Sequence, residues 1–369
     1  AEQVFSIHGP ISAGGYISFA ESIERVPDNL KEVQPTVIFG VPRIWEKMHA
    51  KVSASLAEAT GLKKKLVDWA RKVGAAAVAL RNRGEEPTGS LALQYALADR
   101  LLFSKVKPLM GLGNARVCVS GAAPIAREVL EFFAGLDIVI HEVYGQSEDT
   151  GPTTFNRPGR TRYGTVGPRI PGVEVEIAED GEILVRGRNV FLGYYKNPEA
   201  TAETLADGWL HSGDLGAFDD DGFLQITGRK KEIIITAGGK NIAPKNIESA
   251  LKNLPLVSQA VVIGDRRKFL SALVTLDPEA AADFASRHGL DGAELHRNER
   301  VIAELQRGID EEVNPRFARV EHIRKFTILH RDFSLDDNDR GKAELTPTLK
   351  IKRSVVSKNF AAEIEAMYA

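Results

Sequence analysis

The feature that most narrows what this chain can fold into is an alternation of short apolar runs with helix-forming stretches between residues 36 and 148. TVIFGV (36–41) reads as a buried strand, and Pro42 then opens a helix, RIWEKMHAKV, at the one helical position where a missing N–H costs nothing. ARVCVSGAAP (115–124) reads as a strand and a turn leading into a helix, and DIVIHEVYGQSE (137–148) as a strand running into a loop. Such alternation calls for an α/β layer with binding loops at the strand ends. Residues 62–82 and 90–110 form two amphipathic helices. Leu93, Leu97, Leu101 and Leu109 recur near helical spacing, and the reading is a helix pair lying on the body rather than a membrane-surface stripe.

From 160 to 228 the texture changes. VEVEIAEDGEILVRG and FLQITG alternate with a period of two, are joined by Asp-Gly turns and contain no long helix, which predicts a small antiparallel sheet or barrel. Beyond 229, strands such as QAVVIGD mix with helices such as NIESALKNL and a long helical stretch from 293 to 313. The expected division is therefore a partial α/β domain (1–159), a β-barrel-like subdomain (160–228) and a smaller α+β C-terminal domain (229–369), with the boundary at 229–231. No internal repeat or low-complexity segment interrupts it.

A chain of 369 residues is too long for one ordinary core, which agrees with several domains. With 43% hydrophobic residues, 27% charged residues and a net charge of -2, the balance fits a soluble globular protein and favours neither nucleic acid nor an anionic membrane. Cys118 is the single cysteine, which excludes an internal disulfide framework and fits a reducing compartment. No apolar stretch approaches the ~18 residues of a membrane span, and no signal peptide opens the chain. The start at Ala1 without an initiating Met suggests a fragment or a processed form.

Five polar loops, four of them glycine-bearing, sit at predicted strand ends: SGAAP (120–124), YGQSEDTG (144–151), WLHSGDLG (209–216), TGRKKE (227–232) and LTPTLKIKR (345–353). Taken singly, each reads as readily as a turn or a cap. Gly238, Gly239 and Lys240 lack the first glycine and the final hydroxyl of a phosphate-binding P-loop. DDDGF (219–223) opens like a calcium loop but lacks the Glu at the twelfth position, so a hairpin turn is the better reading. GLGNA (111–115) reads as a turn after a helix, and His8, His49, His141 and His211 show no metal-ligand spacing.

In order and spacing, the five loops together resemble the AMP-forming acyl-CoA synthetases, within the adenylate-forming enzymes. ISFAESIERVPDNLKEVQPTVIFGVPRIWEKM (17–48) and the LTPTLKIKR ending are similar to the long-chain fatty acid branch, and the likeness spans nearly the whole chain. The resemblance implies the adenylate-forming fold with a mobile C-terminal domain. It also implies ATP-dependent activation of a fatty acid to acyl-AMP and pyrophosphate, then transfer to CoA, with Mg²⁺ as the metal. On this likeness Gly121, Ala122 and Ala123 let the backbone approach adenine, and Tyr144 and Gly145 hold the base. Ser147 donates to the α-phosphate and Glu148 holds Mg²⁺. Asp214 binds the ribose diol, and Arg229 lies beside ribose and phosphate. Lys350 reaches the bridging oxygen between α-phosphate and carboxylate. Lys231 is the hinge between adenylation and thioester-forming poses, and Gly238 and Gly239 line the path of the pantetheine arm.

Three departures qualify the match. Ser147 stands where the family more often has Thr, and Leu349 where it usually has Gly before the lysine. The T-S-G-T-T-G-x-P-K-G phosphate loop is absent and would lie upstream of Ala1, so this chain alone is expected to be impaired in adenylation. Two alternatives stay open: another adenylate-forming ligase acting on an aryl or amino acid, and a non-catalytic binding or regulatory fragment. The partners implied are fatty acid, ATP and CoA, with no nucleic acid and no transmembrane segment. The location implied is cytoplasmic, with room for peripheral membrane contact because long-chain substrates partition into bilayers.

Overall fold

The computed structural model describes residues 3–22, 25–337, 341–346 and 350–369, which fall into two compact units, Ala1–Thr227 and Gly228–Ala369. Ile23 and Glu24 of the 17–48 stretch, and Pro347, Thr348 and Leu349 of the LTPTLK motif, lie outside the described residues.

In the first unit, β1 (Val37–Gly40), β2 (Val117–Ser120), β3 (Ile140–Gln146) and β4 (Gly151–Phe155) form one sheet in that order. The first three strands are parallel, and β4 returns antiparallel to β3. Parallel strands need crossovers, and the connecting helices supply them. Helix Pro42–Ala57 follows β1, and Gly61–Arg81 and Gly89–Ala98 precede β2. Helix Arg127–Ala134 links β2 to β3. Trp45, Phe103, Leu130, Phe133, Leu136 and Ile140 are fully buried in the shared core. The Trp45 indole donates to the Gly40 carbonyl at 3.1 Å, satisfying its buried N–H.

The helix pair 61–81 and 89–98 does pack on the body, but the leucines singled out above do not make that contact. Leu93, Leu97 and Leu109 are 76%, 50% and 69% exposed, and Leu101 also faces outward. The buried stripe is instead Ala98, Leu102 and Phe103, with Leu91, Tyr95 and Val106 beside it. This segment is apolar on two faces, and the one carrying the aromatic rings fills the core.

A second sheet comprises β5 (Val173–Ile177), β6 (Glu182–Gly187), β7 (Leu205–Ala206), β8 (Trp209–Phe218) and β9 (Leu224–Arg229). Its path is β5-β6-β8-β7, with β9 also on β8. Val173, Val175, Ile183, Val185, Leu210 and Leu224 form its apolar face, while Glu174 and Arg186 pair across strands on the other. Of the sheet or barrel expected for this segment, the sheet forms and the barrel does not. Among the described residues the sheet is open, because β5 and β9 do not pair with each other. Alternation fixes which face is apolar but not whether the edges meet. DDDGF is the β8–β9 hairpin turn: the Asp219 carboxylate accepts from the N–H groups of Asp221 and Phe223 at 3.1 and 2.8 Å.

In the second unit, β10 (Ile234–Ile235) and β11 (Asn241–Ile242) form a small hairpin, while β12 (Val257–Ile263), β13 (Leu270–Leu276) and β14 (Ile323–Ile328) form a mixed sheet. Successive residues of its strands enter different cores. Ala260, Val262, Ala272 and Val274 pack under helix Pro244–Lys252, while Val261 and Leu273 meet Phe333, Val356 and Phe360 on the opposite face. The long helix expected over 293–313 is broken into a 3₁₀ turn (Leu295–Arg297), an α-helix (Glu299–Gly308) and a wider turn (Ile309–Val313).

Candidate active site

Three turns of the first unit carry most of the nominated residues. The first follows β2. Gly121 is buried against β3, where a Cβ would stand 2.6 Å from Val143 Cγ1. Ala122, at φ 68, and Ala123 are exposed. A left-handed alanine is uncommon, and its small side chain keeps the crest of this turn open to a flat ligand.

At the second turn β3 crosses close to β4. A Cβ on Gly145 would lie 1.6 Å from the Gly151 carbonyl oxygen, so no side chain fits. The chain then turns through a 3₁₀ segment, Ser147–Asp149. Asp149 holds this turn, accepting from the Gln146 N–H at 2.8 Å and from the Thr153 hydroxyl. Burial pushes the Asp149 carboxyl above its usual range despite these donors. Ser147 is left exposed and Glu148 half-buried. Glu148 is oriented by another segment: its Oε1 accepts from the Tyr194 hydroxyl at 2.8 Å, and its carbonyl accepts from the Phe191 N–H at 2.8 Å.

The third turn is a bulge within β8. Glu182 of β6 pairs with Leu215, yet Leu184 pairs with His211, so β8 spends extra residues between those points. Asp214 lies there, and its Oδ2 accepts from the Tyr144 hydroxyl at 3.0 Å. Burial first, and then the Asp214 charge, raise the Tyr144 phenol above its ordinary range, so it acts as a donor throughout the physiological pH range. Tyr144 and Asp214 are thus in direct contact, with Gly145, Ser147 and Glu148 following Tyr144 in the chain and Gly121 packed against its neighbour Val143. Just upstream, burial pushes the Glu142 carboxyl up to about 8, partly offset by the Gly164 N–H. His141, buried and 2.9 Å from the Thr161 hydroxyl, is pushed down to about 4 by the same cause.

The remaining nominated residues belong to the second unit. Arg229 ends β9, and Lys231 is exposed in the 3₁₀ turn Lys230–Glu232. Gly238 and Gly239 form the exposed turn between β10 and β11, where Gly239 adopts φ 74. A Cβ on Gly238 would meet only Thr236 Oγ1, at 3.9 Å. Lys350 is exposed; its carbonyl accepts from the Thr346 N–H at 2.8 Å, and Leu345 and Ile351 form a bridge. Two residues that hold the site, Tyr194 and Glu182, escaped the sequence reading. Each acts across more than thirty residues of chain, or from a strand position that looks like ordinary alternation, so no local signal marks either.

The AMP-binding enzyme family matches residues 1–195, and the AMP-binding enzyme C-terminal domain matches residues 231–369. The chain belongs to the AMP-binding enzyme family. Among its relatives, a long-chain-fatty-acid–CoA ligase of Mycobacterium bovis is 41% identical, the match covering 98% of this chain and 59% of the relative. The long-chain-fatty-acid–CoA ligase ACSBG2 of Homo sapiens is 36% identical, over 100% of this chain and 58% of the relative. This AMP-binding enzyme chain therefore spans about three fifths of the length of the curated relatives it matches, 59% for the first of them. The adenylation domain of a carboxylate reductase from Mycobacterium chelonae shares the fold with a TM-score of 0.70 at 21% identity, over 98% of this chain and 51% of that one.

Proposed function

We propose that this AMP-binding enzyme chain carries the nucleotide and acyl-transfer residues of an AMP-forming long-chain fatty acid–CoA ligase. The observation that carries the reading is its match, over 98% and 100% of its length, to relatives named as long-chain-fatty-acid–CoA ligases. The bonded Tyr144–Asp214 pair beside Glu148 supports it locally.

In the proposed reaction adenine stacks on Tyr144 above the open Ala122–Ala123 crest, and Asp214 accepts from the ribose hydroxyls with the oxygen capacity of an ionised carboxylate. Ser147 and Arg229 donate to the α-phosphate, where negative charge builds as the fatty acid carboxylate attacks phosphorus and pyrophosphate leaves. Lys350 places an ammonium near the new acyl–phosphate bridge and offsets the charge of the two anions brought together there. Glu148 would hold Mg²⁺. Among the described residues no group of three or more His, Cys, Asp or Glu side chains forms a metal cage. A lone carboxylate suits an ion that takes most of its ligands from water and substrate phosphates. When bound, Mg²⁺ neutralises phosphate charge.

In the second half-reaction the CoA thiolate attacks the acyl carbonyl, the acyl–phosphate bond breaks and AMP leaves with the electron pair. Gly238 and Gly239 would admit the pantetheine arm on their side-chain-free turn, and Lys231 would be the pivot between the two half-reactions. The required ATP and CoA suit a cytoplasmic location. Among the described residues no helix is long and apolar enough to cross a membrane.

The test is calorimetric binding of a non-hydrolysable long-chain acyl-adenylate analogue to this chain, beside its acetyl counterpart. Tighter binding of the long-chain analogue is expected. Equal binding, or preference for an aryl-adenylate, would refute the fatty acyl assignment.

A further inference from the structure

The β8 bulge that presents Asp214 is not held by backbone pairing alone. Between the Glu182–Leu215 and Leu184–His211 pairs, β8 must absorb two more residues than β6 does. Such an insertion leaves backbone groups without ladder partners. Here they have side-chain partners instead. Glu182 Oε1 accepts from the Gly213 N–H at 2.9 Å, and its Oε2 lies 3.2 Å from His211 Nδ1. The Asp214 N–H donates to the Ser212 hydroxyl at 3.1 Å, and Gly213 adopts φ 72, a left-handed conformation that glycine takes without strain. Glu182 is only 5% exposed, so its carboxylate lies beneath the bulge while Asp214 at the bulge meets the Tyr144 hydroxyl. A charged acceptor on a backbone N–H is a strong and directional restraint.

From this geometry we infer that Glu182 is a positioning residue for nucleotide recognition: by clamping the Gly213 N–H and the His211 ring, it sets the Asp214 carboxylate for a ribose diol. It touches no ligand itself. The nearby Asp180–Gly181 turn completes the support, since the Glu182 N–H donates to Asp180 Oδ1 at 3.1 Å and the Gly216 N–H to the Gly181 carbonyl at 3.0 Å. The clamp thus joins the turn before β6 to both sides of the bulge. This inference rests on the proposed ribose role of Asp214.

The experiment separates sugar recognition from general stability. Binding of AMP and of 2′,3′-dideoxy-AMP to this chain is measured by calorimetry for the wild type, Glu182→Ala, Glu182→Gln and Gly213→Ala, with a melting curve for each. The wild type is expected to prefer AMP by on the order of tenfold, the worth of hydrogen bonds to a charged group. Glu182→Ala should bring that ratio close to one while dideoxy-AMP binding persists. Glu182→Gln should restore it, because an amide oxygen still accepts from Gly213. Gly213→Ala strains the bulge without a clash, since nothing lies within 4 Å of its Cβ, and should erode the ratio in a chain that stays folded. If Glu182→Ala fails to fold, Gly213→Ala decides: a kept ratio overturns the inference. Equal weakening of both ligands by Glu182→Ala, or no restoration by Glu182→Gln, also overturns it. A wild type that binds both nucleotides equally would instead remove the ribose role of Asp214, and the inference with it.

Discussion

In the first unit Tyr144, Glu148 and Asp214 each meet a side chain from another strand or loop, whereas in the second Gly238 and Gly239 lie on an exposed turn and Lys350 is exposed. In the first arrangement each of these polar tips is located by a side-chain bond: Tyr144 and Asp214 bond to each other across two strands, and Glu148 accepts from Tyr194 of the loop after β6. The second fixes the backbone, through the Gly239–Thr236 and Thr346–Lys350 bonds, and leaves Gly238, Gly239 and Lys350 open to solvent. The difference fits a division of labour. Under the proposed roles, a nucleotide that stays through both half-reactions needs a preorganised cradle, while an ammonium and a thiol path that would each serve one half-reaction would need to be presented and withdrawn.

Substitutions can break this contrast at either end. The largest effect is expected from Lys350→Ala in a chain that also carries the family's phosphate loop. Pyrophosphate exchange should fall by roughly 10²–10³-fold, with the melting temperature unchanged and thioester formation from supplied acyl-adenylate retained. Equal loss of both half-reactions would contradict the role of Lys350. In the cradle, Asp214→Ala should weaken AMP binding by roughly ten- to a hundredfold, and Tyr144→Phe, which keeps the ring, by less than tenfold. A larger loss from Tyr144→Phe would show that the hydroxyl, not the ring, dominates.

A pH series probes the buried strand beneath the cradle. Glu142 titrates near 8 in the folded chain, well above its ordinary value of 4.5, so between those values the native state holds a proton that the unfolded chain has released. Its contribution to stability is fully present below about 4.5 and is lost as pH rises through about 8. Glu142→Gln keeps an acceptor for the Gly164 N–H and should flatten this slope, melting roughly 5 °C above the wild type at high pH. Parallel wild-type and variant curves would exclude the buried proton. The smallest stability effect is expected at Gly238→Leu, within about 1 °C of wild type, because the nearest atom to a Cβ is 3.9 Å away. The same variant should impair CoA transfer while sparing pyrophosphate exchange. A destabilised Gly238→Leu would make that glycine a packing residue and remove the contrast with Gly145, where a Cβ would sit 1.6 Å from a carbonyl oxygen.

Much of this was readable in the sequence. The apolar runs at 36–41 and 115–120 become β1 and β2; β2 is buried at Cys118, Val119 and Ser120, whereas β1 buries Ile38 and Gly40 and leaves Val37 exposed. The SGAAP and YGQSE loops fall at strand ends. What escaped depends on contacts distant in the chain. Leu93 and Leu97 have the same helical spacing as a core stripe, and only the bulk of Tyr95 and Phe103 decides which face turns inward. Closure of the second sheet depends on edge pairing, about which a period of two is silent. Tyr194 finds Glu148 across 46 residues, and Glu182 finds Gly213 across 31. Local motifs nominated Glu148 and Asp214 for the proposed chemistry, whereas Tyr194 and Glu182, which hold them or their turn, carried no local signal.

The bond from the Tyr144 hydroxyl to Asp214 makes one further demand on any ligand. Under the proposed roles, the ring that receives the base also steers the carboxylate that receives the sugar, so the two halves of a nucleoside are read as one object. Changes to base and sugar should then combine non-additively: an analogue altered in both should lose less affinity than the sum of the separate losses. Selectivity of this kind resists gradual drift toward other nucleotides, because loosening the grip on either half disturbs the other.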